Sequence, residues 1–149
     1  MGPYADLVRQ RLPAVETDFV GGASEAKIDS AERALGVRFP LTFRSFLREL
    51  GCGGVDSEEF IGLGGPPYLD IVESTRGLRE RPGGFPTTLL PLRRDGFGNL
   101  DCLEIGSGKE DECPVVEWNH EAQNDQWRVL APDYRRWFES ILELIAADD

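Results

Sequence analysis

The residues best suited to chemistry surround the single histidine of the sequence, His120, which stands between Glu117 and Glu121. A histidine beside carboxylates can act as a general base, or bind a metal ion together with them. In an extended strand, however, Glu117 and Glu121 would share a face that His120 does not. The sequence has no second histidine, and its cysteines stand too far away to suggest a zinc site. We therefore predict no catalytic residue and no metal site, and we expect His120 to be exposed.

Two glycine clusters, at residues 51–54 and 62–65, are the next candidates because glycine-rich loops can bind phosphate. Neither cluster is followed by the Lys and the Ser or Thr that a phosphate-binding loop requires. The first cluster also follows a predicted helix, which places it at the negative end of the helix dipole. We therefore interpret both clusters as helix caps and turns, and we predict no cofactor.

Charge is the most informative property of the sequence. The chain has 149 residues with 16 Lys and Arg against 27 Asp and Glu, a net charge of −11, which disfavours direct binding to nucleic acid. Between Asn99 and Asp125, eight acids accompany one base, Lys109. These acids are Asp101, Glu104, Glu110, Asp111, Glu112, Glu117, Glu121 and Asp125. Two interpretations remain open, a docking face for a basic protein partner and a solvated acidic turn.

The segment before this acidic run has the opposite charge. Residues 76–94 contain five arginines and one acid, Glu80. The arginines are Arg76, Arg79, Arg81, Arg93 and Arg94. Such a charge-split surface is compatible with pairing between two copies of the chain, but we favour the interpretation that Arg76 and Arg79 pair with nearby acids, because surface ion pairs are common.

Aromatic residues suggest further contact positions. We expect Trp137 and Trp118 to pack inside the protein, since Trp137 belongs to an apolar helix stripe and Trp118 ends a predicted strand. Trp127 follows a polar stretch and Tyr68 follows two prolines on a predicted loop. Tryptophan is enriched at the centres of protein interfaces, so Trp127 and Tyr68 are candidate partner contacts.

The pattern of elements that must position these residues predicts an α+β fold with a single domain. Apolar periodicity predicts short helices near residues 3–12, 24–35, 40–50 and 70–80, with Ser24 and Asp70 as N-caps and Gly36 and Gly51 as C-terminal stops. Strands are predicted at residues 60–63, 89–92, 100–105, 114–118 and 127–130, with a turn at 95–99. A closing helix follows Asp133, so the strands form an antiparallel meander between helices.

The order of these signals resembles the SUKH superfamily, which is also called Smi/Knr-like. The resemblance rests on a set of residues spread over positions 24–145. They include Ile28 with Glu32, Leu35-Gly36, Phe39-Pro40, Phe43, Phe46-Leu47, the glycines at 51–54, Ile61-Gly62-Leu63, Asp70-Ile71-Val72, Pro91, Gly96-Phe97-Gly98-Asn99, Val115 through His120, and the aromatic helix from Tyr134 to Leu142. We accordingly divide the chain into residues 1–23, a helix and turn packed on the domain, and residues 24–149, the SUKH-like domain.

In bacteria, the resemblance implies a non-catalytic immunity protein that binds and neutralises a toxin, often a nuclease or deaminase. The expected partner is a basic toxin domain. We expect this chain to bind it, as a monomer or weak dimer, through the eight acidic residues of positions 99–125 together with Trp127 and Tyr68. The alternative is a regulatory or scaffold protein of the same fold without a toxin partner. Neither role implies direct contact with nucleic acid or a membrane.

Three sequence features suggest the compartment. The cysteines Cys52, Cys102 and Cys113 are odd in number and widely spaced, which fits reduced thiols better than a disulfide framework. No apolar run reaches the roughly 18 residues needed to span a bilayer. The N-terminus lacks a basic stretch followed by an apolar one, the pattern of a secretory signal. We therefore expect a cytoplasmic protein.

Overall fold

Helices surround an antiparallel sheet in the structure, a computed structural model that describes residues 2–106, 112–121 and 127–148. Within these ranges the α-helices are α1 Pro3–Arg11, α2 Glu25–Leu35, α3 Leu41–Glu49, α4 Ile71–Glu80 and α5 Tyr134–Asp148, and a short 3-10 helix covers Pro67–Leu69. The strands are β1 Gly53–Val55, β2 Glu58–Phe60, β3 Leu89–Arg94, β4 Leu100–Glu104, β5 Val115–Trp118 and β6 Arg128–Ala131. The predicted α+β class is confirmed.

The predicted helix boundaries are confirmed by their caps. The Ser24 hydroxyl accepts a hydrogen bond from the Lys27 N–H, and the Asp70 carboxylate accepts two from the start of α4. Gly36 ends α2 in the left-handed conformation, with φ of 68°. Each cap satisfies backbone groups that a helix end would otherwise leave without partners.

Glu32 links the end of α2 to the start of α3. Its carboxylate accepts a hydrogen bond from the Phe39 N–H and forms an ion pair with Arg44. Arg44 also contacts Glu25 and Asp29 of α2, so one guanidinium joins three acids. These contacts give Glu32, a residue of the family resemblance, a structural role.

Two antiparallel sheets are present among the described residues. β1 and β2 form a hairpin, and the larger sheet has the order β3-β4-β5-β6. The sequence prediction was wrong at residues 53–54, which belong to β1 and not to a turn, and the first predicted strand, 60–63, overlaps β2 only at Phe60. Gly53 is glycine because a Cβ there would lie 2.6 Å from the Phe19 Cα. Its missing side chain lets residues 17–19 pair closely with β1.

Apolar side chains pack against both faces of the larger sheet. One face covers the main core, which contains an aromatic cluster of Tyr4, Phe46, Phe60, Tyr134 and Phe138. Trp137 is buried in this core, as predicted. The other face carries a smaller apolar cluster, with Leu78, Trp118 and Trp127 packed against it. The buried members of this cluster are Phe85, Leu89, Leu100, Cys102 and Val116. α1 contributes buried Tyr4, Leu7, Val8 and Leu12 to the main core.

None of the helices within the described ranges has the length and apolarity required to cross a bilayer. The three cysteines are free and buried.

Candidate partner-binding surface

The acidic segment is divided between the two ends of the β3–β6 sheet. Because the strands are antiparallel, the end of β4 and the start of β5 lie at one end of the sheet, whereas the 95–99 turn, the end of β5 and the start of β6 share the other. A hydrogen bond of 3.1 Å between His120 Nδ1 and Asn99 Oδ1 joins the 95–99 turn to the residues that follow β5. Glu110, Asp111 and Asp125 lie outside the described residues. The described acids of this segment therefore do not form one continuous face.

Asp101 belongs to the interior. Only 4% of the residue is exposed, and its Oδ2 accepts hydrogen bonds from Arg93 and from Trp137 Nε1, the latter at 2.9 Å. Burial raises the pKa of Asp101, against the opposing effect of the Arg93 guanidinium. Its placement on an exposed docking face was wrong, because the strand alternation turns this carboxylate toward α5.

Glu112 and Glu104 lie at the end of the sheet near the start of α3. Glu112 is half-buried, and its two carboxylate oxygens accept hydrogen bonds from the N–H and the hydroxyl of Thr42. This carboxylate therefore caps the N-terminus of α3, where a negative charge also complements the helix dipole. Glu104 is half-buried at the end of β4.

We expect Glu112→Ala to lower the free energy of unfolding by about 1 kcal/mol, the usual cost of removing a side chain that caps a helix. Urea denaturation followed by circular dichroism measures this loss. Glu112→Gln is the matched control, because its amide oxygen can still accept a bond from Thr42. Equal stability of Glu112→Ala and the wild type would contradict the capping role.

Glu117 and Glu121 lie toward the other end of the sheet. Glu117 is half-buried opposite Asp101 and forms an ion pair of 3.1 Å with Arg128 of β6. Glu121 is exposed, and its carboxylate is 3.7 Å from His120 Nε2. Trp127 is half-buried against the smaller apolar cluster. Of these three predicted contacts, Glu121 has the most accessible side chain.

The 95–99 turn presents an aromatic side chain to solvent. Phe97 is 84% exposed at the tip of this turn. The Asp95 carboxylate accepts hydrogen bonds from the Phe97 and Asn99 N–H groups, at 2.8 and 3.1 Å. His120 is exposed, as predicted, and its ring lies against Gly98. The sequence analysis missed Phe97 as a contact residue. The signal that could have identified it is an aromatic residue between two glycines of a predicted turn, because such a side chain is expected to be exposed.

Tyr68 continues this surface along the end of β3. Arg94 donates a hydrogen bond of 2.9 Å to the Tyr68 carbonyl, which holds the 3-10 helix beside the turn. The Tyr68 side chain is exposed, and its hydroxyl is 3.3 Å from a carboxylate oxygen of Glu59. The Glu59 carboxylate raises the pKa of Tyr68. We call the resulting set, Glu59, Tyr68, Asp95, Phe97, His120 and Glu121, the turn-end surface.

Three carboxylates of the turn-end surface have no Lys or Arg partner among the described residues. They are Glu59, Asp95 and Glu121. Two arginines of residues 76–94 are engaged elsewhere: Arg93 pairs with Asp101 and Glu58, and Arg79 donates to the Thr87 carbonyl. Arg94 is exposed at the turn-end surface itself, where it donates to the Tyr68 carbonyl. Neither Arg76 nor Arg79 forms the expected ion pair with an acid of the described ranges. Negative charge at this surface therefore stays available.

The chemistry of the surface favours binding to a protein. Within the described ranges, no three His, Cys, Asp or Glu side chains are grouped to hold a metal ion. Burial raises the pKa of the Cys52, Cys102 and Cys113 thiols, which disfavours the reactive thiolate. Aromatic residues are enriched at protein contact sites, and the exposed rings of Tyr68 and Phe97 fit that pattern. The carboxylates beside them have no Lys or Arg partner among the described residues, which adds negative charge around the rings.

A family model described as "SUKH_5: SMI1-KNR4 cell-wall" matches residues 6–143 of the chain. This chain belongs to the SUKH family. A crystal structure of a protein from Pseudomonas syringae pv. tomato has a similar fold, with a TM-score of 0.59 and 22% sequence identity. The match covers 83% of this chain and 89% of that chain. The SUKH resemblance predicted from the sequence is confirmed, and family membership is consistent with an immunity-type or regulatory protein.

Proposed function

We propose that this SUKH protein is an immunity protein that binds a cognate toxin domain and neutralises it. Membership in a family that includes bacterial immunity proteins supports this role. The observation that carries the proposal is the turn-end surface, where exposed Tyr68 and Phe97 lie among carboxylates without Lys or Arg partners. Neutralisation by binding needs no catalytic step.

The chemistry of the partner follows from this charge. A toxin that acts on nucleic acid requires Lys and Arg side chains to bind the phosphate backbone. An acidic protein that covers those side chains blocks the substrate and gains complementary charge at the same time. We therefore propose a basic, nucleic-acid-targeting toxin domain as the partner, with no direct contact between this chain and nucleic acid or a membrane.

The setting of the interaction is part of the proposal. We propose that the protein acts in the cytoplasm, because a toxin of this kind must be intercepted where its nucleic-acid substrate lies. We further propose that a monomer or weak dimer binds the toxin, since the turn-end surface is formed within one chain. At the opposite end of the sheet, Glu112 caps α3 instead of contributing to this contact.

Co-expression tests the proposal directly. The probe is the C-terminal domain of a large toxin encoded beside this gene, produced in cells with and without this protein. We expect the cells to survive only when both proteins are present, and the purified pair to form a complex by size-exclusion chromatography. Continued killing together with no complex would contradict the proposal and favour the alternative, a regulatory or scaffold protein.

A further inference from the structure

The exposure of Phe97 is not explained by the fold. Its exposed fraction exceeds that of every other large hydrophobic residue in the described part of the chain. The ring belongs to neither apolar cluster and forms no aromatic contact with a described residue. Packing within this chain therefore does not account for an aromatic side chain at this position.

The turn holds Phe97 in a defined position. In addition to the two hydrogen bonds accepted by the Asp95 side chain, the Asp95 N–H donates one of 3.1 Å to the Asn99 carbonyl. Gly96 and Gly98 adopt φ of 87° and 93°, which other residues rarely adopt. A Cβ on Gly98 would lie 2.7 Å from His120 Cε1, so the imidazole occupies the space beside the turn. A contact residue ordered before binding loses less entropy on association.

The charges around Phe97 determine which side chains of a partner are favoured at the edge of the contact. Asp95 precedes the tip of the turn, and Glu121 extends from the residue after His120. Arg94 is exposed at the same surface and donates to the Tyr68 carbonyl, so one positive charge stands against the three carboxylates Glu59, Asp95 and Glu121. A partner that covers Phe97 therefore meets mainly negative charge at the edge of the contact, and Lys or Arg side chains there are favoured.

We propose that Phe97 is the anchor of the turn-end surface and enters an apolar pocket of the partner that is rimmed by Lys or Arg. This inference rests on the proposed immunity function and adds the geometry of the contact. A buried aromatic ring supplies apolar area at the centre of an interface, and the surrounding charges supply specificity at its rim. The same chain thus uses its acids for orientation and one phenyl ring for most of the affinity.

The test measures binding of the same toxin domain to wild-type protein and to two alanine variants by surface plasmon resonance. We expect Phe97→Ala to weaken the equilibrium affinity by about 30-fold or more, mainly through faster dissociation. Leu41→Ala is the matched control, because Leu41 is 56% exposed beside Thr42, at the opposite end of the sheet. We expect this control to stay within about twofold of the wild type, the size of a near-neutral contact.

A charge variant tests the rim. We expect Glu121→Lys to weaken binding by about tenfold, because it places a positive charge against the proposed Lys or Arg rim. Equal thermal unfolding curves for the wild type and all three variants establish that folding is unchanged. Unchanged affinity of Glu121→Lys would overturn the basic rim.

The outcomes separate this inference from the function on which it rests. If wild-type protein binds and rescues but Phe97→Ala binds within about threefold of it, the anchor is overturned and the immunity function stands. If wild-type protein neither binds nor rescues, the proposed function fails, and the anchor fails with it. Strong loss for both Phe97→Ala and Leu41→Ala would also overturn the anchor, since the effect would not be specific to this end of the sheet.

Discussion

Asp101→Ala is expected to lower the free energy of unfolding by about 3 kcal/mol, because it leaves two buried donors without their acceptor. One is the Arg93 guanidinium, whose Nε is 3.1 Å from Asp101 Oδ2, and the other is the Trp137 indole N–H at 2.9 Å. Arg93 keeps Glu58 as a partner, which limits the loss. Urea denaturation of the wild type and the variant measures the difference.

Asp101→Asn is the matched control for this prediction. Its amide oxygen can still accept a hydrogen bond from Trp137, whereas the charge that faces Arg93 is removed. We expect a smaller loss than in Asp101→Ala. A change below about 1 kcal/mol in Asp101→Ala would contradict the structural role and reopen the possibility that this carboxylate is exposed.

We also expect the stability difference between the wild type and Asp101→Asn to depend on pH. The pKa of Asp101 is raised in the folded protein, chiefly by burial, above an unfolded-state value of about 3.9. The folded state therefore binds the proton of the Asp101 carboxyl more tightly than the unfolded state does. The stability that this protonation contributes is present at low pH and is lost as pH rises through the folded-state pKa. We expect the stability advantage of the wild type over Asp101→Asn to shrink over that range, as measured by urea denaturation at a series of pH values.

Reversing two charges of the turn-end surface, in Glu59→Lys combined with Glu121→Lys, is expected to slow association with the toxin domain by about 10- to 100-fold at low salt. Neither carboxylate has a Lys or Arg partner among the described residues, so the reversal acts on the long-range attraction without breaking an ion pair to Lys or Arg. Raising the salt concentration should also slow the wild type, since exposed charges are screened beyond about 8 Å at physiological ionic strength. Stopped-flow mixing measures both effects.

A control variant changes the net charge of the chain by the same amount, at positions outside the turn-end surface. Glu80→Lys combined with Glu143→Lys also moves the chain from −11 to −7, on exposed positions of α4 and α5. Glu143 forms an ion pair of 2.8 Å with Arg11, so the unfolding curve of this variant must also match that of the wild type. We expect a much smaller effect on the association rate in this variant. Equal slowing in the two double variants would mean that total charge, and not the turn-end surface, steers the encounter.

Local signals were sufficient to predict most of the fold. Ser24, Gly36 and Asp70 mark helix ends because their side-chain and backbone chemistry acts over three or four residues. Gly53 was misread because its requirement comes from Phe19, a residue 34 positions away that approaches the strand in space. A contact between residues so far apart in sequence produces no periodic pattern of residue types.

The candidate surface was predicted less well for a related reason. Counting charges located an acidic segment, but strand alternation buries Asp101, and the antiparallel meander sends Glu112 and Glu121 to opposite ends of the sheet. Glu59 joins the surface from a different hairpin, through its contact with Tyr68. Such groupings depend on tertiary packing, so composition alone does not reveal them.

The contacts of Glu32 have a consequence for how this fold can diversify. Glu32 joins α2 to the start of α3 through Phe39 and Arg44, and those residues lie outside the turn-end surface. Substitutions at exposed positions without such contacts usually change stability by less than about 0.5 kcal/mol. Phe97 and Glu121 are therefore free to be exchanged as a toxin changes, while the scaffold that presents them keeps its stability. Under the immunity function proposed above, one framework could in this way present different contact residues to different partners.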